Sequence, residues 1–260
     1  MTAASPVPPP PAAPPRAAIV TGGGRGIGRG CALELARRGV DVALVDLIPE
    51  DLARTAAEVE GLGARALTFE ADVSDHARAA QVVAAVHAEW GRLDILFNNA
   101  GRSMARGLLE ITEAEFDRTI AINLKGAFNY SHAAAPLMMA AGHGRILNMS
   151  SLNAHTGGVT SAVSKFAYAA AKAGLLGMTR ALAKELGPAV LVNAICPGVI
   201  KTERSNDMIR AREAELAAGI ALGRTGTPAD IAQLVAFLAL SEPCFITGQD
   251  ITVDGFQWVM

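Results

Sequence analysis

Cysteine, aromatic residues and charge are all scarce in this chain, and long apolar runs are missing. Three cysteines (Cys31, Cys196 and Cys244) are too few for a disulfide scaffold and fit a reducing compartment. They lie far apart, with no C-x-x-C pair, and the five histidines show no ligand spacing, so no metal is expected. Aromatics make up 5% of the residues, with only two tyrosines. Against 23 Lys and Arg stand 25 Asp and Glu, a net charge of −2. That balance lacks the basic excess with which a protein neutralises nucleic-acid phosphates. No apolar run approaches the ~18 residues of a membrane span. The N-terminus has neither the basic nor the apolar region of a secretory signal. The expectation is a cytoplasmic protein that binds neither nucleic acid nor membrane.

What is present favours a large core. Of 260 residues, 51% are hydrophobic, and α/β folds of ~250 residues form one domain. Seven of the first fifteen residues are proline. This composition buries little and lacks backbone donors, so residues 1–15 are expected to form a disordered or polyproline tail and residues 16–260 the folded domain.

Along that domain, apolar runs alternate with helical periodicity. Strands are predicted at 17–21, 41–46, 65–70, 93–98, 144–150, 190–196 and 250–253. Helices are predicted at 27–38, 49–61, 75–90, 112–141, 165–186 and 228–240. Runs such as AAIVT and VALV are continuously apolar, as strands buried on both faces are. The alternation predicts an α/β fold, a doubly wound parallel sheet of about seven strands with helices on both faces. The less regular stretch 199–227 reads as a helical lid.

Between the first strand and first helix lies Thr21-Gly22-Gly23-Gly24-Arg25-Gly26-Ile27-Gly28. In that position a glycine-rich turn suits a dinucleotide. Gly22 permits the sharp turn, Gly26 lets the backbone approach a pyrophosphate, and Gly28 allows close helix packing. The helix N-terminus offers free N–H groups to the anion. Asp46 ends the second strand, where a carboxylate accepts from adenosine ribose hydroxyls and repels a 2′-phosphate. This favours NAD over NADP. Arg25 argues the other way, since a guanidinium beside the turn can pair with that phosphate.

Four motifs then stand in order: the glycine turn, Asn98-Asn99-Ala100-Gly101, Tyr168-x-x-x-Lys172 and Pro197-Gly198. By these the chain resembles the short-chain dehydrogenase/reductase family from about Arg16 to the C-terminus. The resemblance implies a single Rossmann domain. It implies that Asp72 and Val73 hold adenine, and that Asn99, Ala100 and Gly101 lie against the cofactor. It implies that Asn123 supports a proton-relay water and that Ser151 holds the substrate oxygen. It further implies that Tyr168 and Lys172 form the catalytic pair and that Pro197, Gly198, Ile200 and Thr202 contact the nicotinamide half. Ile27 joins the cofactor residues, and Asn153 and His155 join Ser151 and Tyr168 as candidate substrate contacts. The resemblance also implies a homotetramer joined through the helices at 112–141 and 165–186.

Elementary chemistry agrees with the pair. Tyr168 and Lys172, at i and i+4, share a helix face. A phenol with pKa near 10 is a poor base at neutral pH. An adjacent ammonium is expected to lower that value, so that Tyr168 takes the proton of an alcohol as hydride leaves its carbon. Ser151 would donate to the developing oxyanion. Ser150 is the alternative serine. Lys165, at i, i+3 from Tyr168, reads as a solvated lysine, and Tyr130 as core. Lys201, Arg204, Arg210 and Arg212 read as a solvated face, with an anionic substrate group as the second reading.

The leading expectation is an NAD-dependent dehydrogenase of a small-molecule secondary alcohol, with a sugar or polyol foremost. The alternative is a 3-oxoacyl thioester reductase, and the remote one a non-catalytic dinucleotide-binding protein.

Overall fold

The protein is described by a computed structural model covering residues 15–158, 163–203 and 212–257. The Pro-rich stretch up to residue 14 and the residues Arg204, Arg210 and Trp258 lie outside that description.

Seven strands form one parallel sheet in the order β3-β2-β1-β4-β5-β6-β7. They are β1 (Ala17–Thr21), β2 (Asp41–Asp46), β3 (Ala66–Glu70), β4 (Ile95–Asn98), β5 (Gly144–Met149), β6 (Val190–Pro197) and β7 (Asp250–Val253). The helices are α1 (Gly26–Arg37), α2 (Pro49–Gly61), α3 (His76–Trp90), α4 (Glu113–Ile120), α5 (Gly126–Ala141), α6 (Asn153–Thr156), α7 (Phe166–Leu186), α8 (Glu213–Ala218) and α9 (Pro228–Leu240).

The continuously apolar strands are explained by two cores. Side chains alternate across a strand, so Ala18 and Val20 of β1 join α1, α2 and α9 on one face, and Ile19 joins α3, α5 and α7 on the other. Each buried Val, Leu or Ile contributes roughly 1.5–3 kcal/mol. β3, an edge strand, is only half-buried.

One expectation needs correction. The segment 112–141 is not a single α-helix. It opens with a capping box between Thr112 and Glu115, then passes through a π-helical turn at Ala121–Lys125 before α5. A π turn takes one extra residue into the coil, and the five positions Ala121–Lys125 are too few for an apolar pattern to reveal the shift. The short helix α6 lies in a stretch where no helix is predicted, α8 falls within the expected helical stretch 199–227, and several strand and helix ends differ from the predicted ones by one or two residues.

The order of strands reverses between β1 and β4. Crossovers from these two strands leave for opposite faces and open a crevice beyond their C-terminal ends. The glycine-rich turn leaves β1 at that crevice and Asn99 leaves β4.

Candidate active site

The crevice is a cleft of about 590 Å³. At one end are Asp46, Asp72 and Val73, and at the other Ser151, Tyr168 and Lys172. Gly22, Arg25, Gly26 and Ile27 line its floor with Asn99, Ala100 and Gly101, and Pro197, Gly198, Ile200 and Thr202 close one side.

The floor is built by close approach. Gly22 has φ +64°, and a Cβ there would come within 2.9 Å of Asn99 Nδ2. A Cβ on Gly28 would overlap the Gly22 carbonyl oxygen. Gly28 therefore lies behind the cleft and lets α1 pack against the turn. Asn99 ties the two halves together: its Nδ2 donates to the carbonyls of Thr21 (2.9 Å) and Gly22 (3.1 Å), and its backbone N–H to Thr21 Oγ1 (3.0 Å).

At the Asp46 end, the carboxylate accepts from the N–H of Gly24 (3.1 Å) and of Leu47 (2.7 Å). These bonds fix it against the turn. Arg25 lies in the same wall, 3.6 Å from Asp51 Oδ2. Arg118, which sequence reasoning missed, donates to Ser74 Oγ and pairs with Asp72 across 46 residues. Burial pushes the Asp72 carboxyl up, but the bonds from Arg118 and Ser74 more than offset it and hold Asp72 below its ordinary value.

At the other end, Tyr168 and Lys172 project from α7. The Lys172 ammonium is buried, donates to the Met149 carbonyl (2.7 Å) and lies 5.6 Å from the Tyr168 ring centre. Burial lowers its pKa to about 8. Tyr168 is shifted opposite to the sequence expectation. Burial raises its phenol above the ordinary value, and a hydrogen bond with Ser151 only partly counters this.

The two serines differ. Ser150 Oγ donates to the Lys172 carbonyl (2.8 Å) and is buried. Ser151 Oγ lies beside the Tyr168 phenol and accepts from the Asn153 N–H (3.2 Å). Asn153 acts behind Ser151, and its side chain points to the Ser164 carbonyl (3.4 Å). His155, the other candidate substrate contact, turns away from the cleft: its Nε2 lies 3.2 Å from Asp250 Oδ2 on β7.

Asn123 sits in the π turn, buried behind the cleft wall. It accepts from the Arg102 N–H (3.1 Å) and donates to the carbonyls of Arg102 (2.9 Å) and Thr119 (3.0 Å). Gly101 brings that backbone close: a Cβ there would stand 2.9 Å from Asn123 Oδ1 and 3.3 Å from Lys172 Nζ. Asn123 thus reaches the cleft through Gly101 and Arg102.

The remaining candidates lie elsewhere. Tyr130 is fully buried. Lys165 is half-buried at the start of α7, where its N–H bonds the Met104 carbonyl (2.7 Å). Lys201 pairs with Glu213, and Arg212 with Glu215. These two cations are turned to neighbouring carboxylates. Among the described residues, no helix is long and apolar enough to cross a membrane.

Comparison with known proteins follows this geometry. The sequence profile of a family described as "Enoyl-(Acyl carrier protein) reductase" matches residues 22–255. The chain is 38% identical over 236 residues to the 3-oxoacyl-acyl-carrier-protein reductase FabG of Thermotoga maritima, covering 90% of this chain and 94% of that one. It is 39% identical over 243 residues to the short-chain reductase protein NovJ of Streptomyces niveus, covering 90% of each. A solved short-chain dehydrogenase/reductase of Brucella melitensis, titled glucose/ribitol dehydrogenase, superposes with a TM-score of 0.86 at 33% identity, covering 94% of this chain and 97% of its own. Profile, relatives and fold agree, and the chain belongs to the short-chain dehydrogenase/reductase family, whose members are oxidoreductases that use a nicotinamide dinucleotide.

Proposed function

We propose that this enzyme is an NAD-dependent dehydrogenase that oxidises a secondary alcohol, with a sugar or polyol as the leading substrate class. The observation that carries the cofactor half is the Asp46 carboxylate, fixed by two backbone N–H groups at the adenosine end of the cleft. An anion held there repels a 2′-phosphate and accepts from ribose hydroxyls. The turn fits a dinucleotide, because Gly22 and Gly28 let strand, turn and helix pack closely, which brings the N-terminal N–H groups of α1 to the cleft. Gly22, Gly26 and Ile27 would hold the pyrophosphate, Asp46, Asp72 and Val73 the adenosine, and Pro197, Gly198, Ile200 and Thr202 the nicotinamide half.

When bound, the nicotinamide supplies the hydride acceptor. This chain's own residues handle the proton and the oxygen. Ser151 Oγ donates to the substrate oxygen and stabilises negative charge there. The Tyr168 hydroxyl, within bonding reach of Ser151, takes the alcohol proton and returns it in the reverse direction. Lys172 holds positive charge beside that phenol, and the cofactor's ring adds more, which opposes the upward pull of burial. Asn123 positions Gly101 and Arg102 against Lys172. The assembly we favour is a homotetramer joined through α5 and α7.

A second reading, a 3-oxoacyl thioester reductase, is favoured by the name of the Thermotoga relative. Comparing turnover of NADH and NADPH with sugars, polyols and a 3-oxoacyl thioester separates the two. Turnover confined to NADPH with the thioester would remove the first.

A further inference from the structure

α1 begins without a cap of its own. Its N-cap residue, Arg25, makes no side-chain cap bond, and its first turn holds no acidic residue. The first N–H of this helix nevertheless has an anionic partner. Glu203, 177 residues away, reaches over the turn and accepts from the Gly26 N–H (3.0 Å) through Oε2. Its other oxygen accepts from Arg29 Nη1 (3.2 Å). Thr202, one residue earlier, lies over the same glycine: a Cβ on Gly26 would be 3.6 Å from the Thr202 Cβ.

The N–H groups at this helix start are those offered to the pyrophosphate in the reading above, on which this inference rests. An N-terminal N–H and the positive end of the helix dipole favour any anion that reaches them. We propose that Glu203 is an internal competitor for the phosphate position, and that its carboxylate must yield the Gly26 N–H before a dinucleotide seats. Glu203 thereby sets the affinity for the phosphate-bearing part of the cofactor.

Two features make the exchange easy. The Glu203 side chain is more than half exposed, so it leaves into water without desolvation. Arg29 keeps a bidentate partner when it goes, because Nε and Nη2 donate to the two oxygens of Glu58 (3.1 and 2.6 Å). Neither partner is stranded.

The test is titration of the ligand-free protein and of Glu203→Gln and Glu203→Ala with NADH, NADPH, ADP and adenosine, followed by calorimetry. Both variants should bind NADH and ADP roughly three- to tenfold more tightly, the range of a helix-terminal charge effect. Adenosine, which has no phosphate, should bind all three proteins alike. Unchanged or weaker NADH and ADP binding in the variants overturns the proposal, as does equal tightening of adenosine. If the wild-type protein takes up neither NADH, NADPH nor ADP, the dinucleotide reading itself falls, and the competitor falls with it.

Discussion

The Lys172 ammonium and the Tyr168 ring are 5.6 Å apart, while the ammonium's 2.7 Å hydrogen bond goes to Met149 at the end of β5. The charge therefore sits beside the phenol and is anchored to the sheet. Substitution at the two positions should separate their roles. Tyr168→Phe should lower kcat by at least about 100-fold, the scale of a lost acid/base group, with NADH affinity nearly unchanged. Lys172→Met should lower kcat as well. Activity surviving in Tyr168→Phe would remove Tyr168 as the proton carrier.

The adenosine end makes a second prediction. Asp46 and Asp51 both stand beside Gly24, and Asp51 lies 3.6 Å from the Arg25 guanidinium. Asp46→Asn should improve NADPH binding relative to NADH by about tenfold or more, as an anion facing an anion is relieved. Asp51→Asn should add to this by freeing Arg25 for the extra phosphate. Dissociation constants for both dinucleotides decide it, and an unchanged ratio in the double variant would sink the assignment.

Gly28→Ala tests the packing of the turn. The added Cβ overlaps the Gly22 carbonyl oxygen, and both groups belong to backbone that cannot swing aside. We expect a loss of roughly 1–3 kcal/mol in stability, measured by urea unfolding, together with loss of dinucleotide binding. A variant as stable as the parent would show that the turn relaxes at no cost.

Acid stability has a clear local contributor. Asp230, third residue of α9, accepts from the N–H and Oγ1 of Thr227 (2.7 and 2.8 Å) and takes two bonds from Arg224 (2.8 and 2.7 Å). The Arg224 guanidinium and then the Thr227 bonds hold its carboxyl far below the usual range, with burial opposing. A depressed folded-state pKa gives stability that is present above the unfolded value, ~3.9, and lost as pH falls through the folded one. Asp230→Asn should thus cost about 1 kcal/mol at pH 7, the size of a lost cap. That gap should narrow below about pH 4, and denaturation midpoints at both pH values read it directly.

Much of this was legible in the residues themselves. Apolar runs such as VALV give parallel strands because both faces are covered, and the T-G-x-x-x-G-x-G turn falls where β1 meets α1. Tyr168 and Lys172 meet in the cleft because four residues make about one helical turn. Features that depend on long-range placement were hidden. Arg118 and Asp72 are joined only by the fold. His155, near Ser151 in sequence, is drawn to Asp250 at the far strand β7. The pull of burial on the Tyr168 phenol depends on depth in the cleft, and spacing carries no measure of depth.

The coil irregularity at Ala121–Lys125 makes the length of this segment matter as much as its composition. Deleting one residue there would restore an ordinary spiral, yet would rotate everything on one side by about 100° relative to the other. Asn123 would then swing off the Arg102 backbone, or Tyr130 and Met138 would leave the sheet. Length variation within these five positions should therefore be tolerated far less than substitution, although the segment lies on an otherwise regular helix.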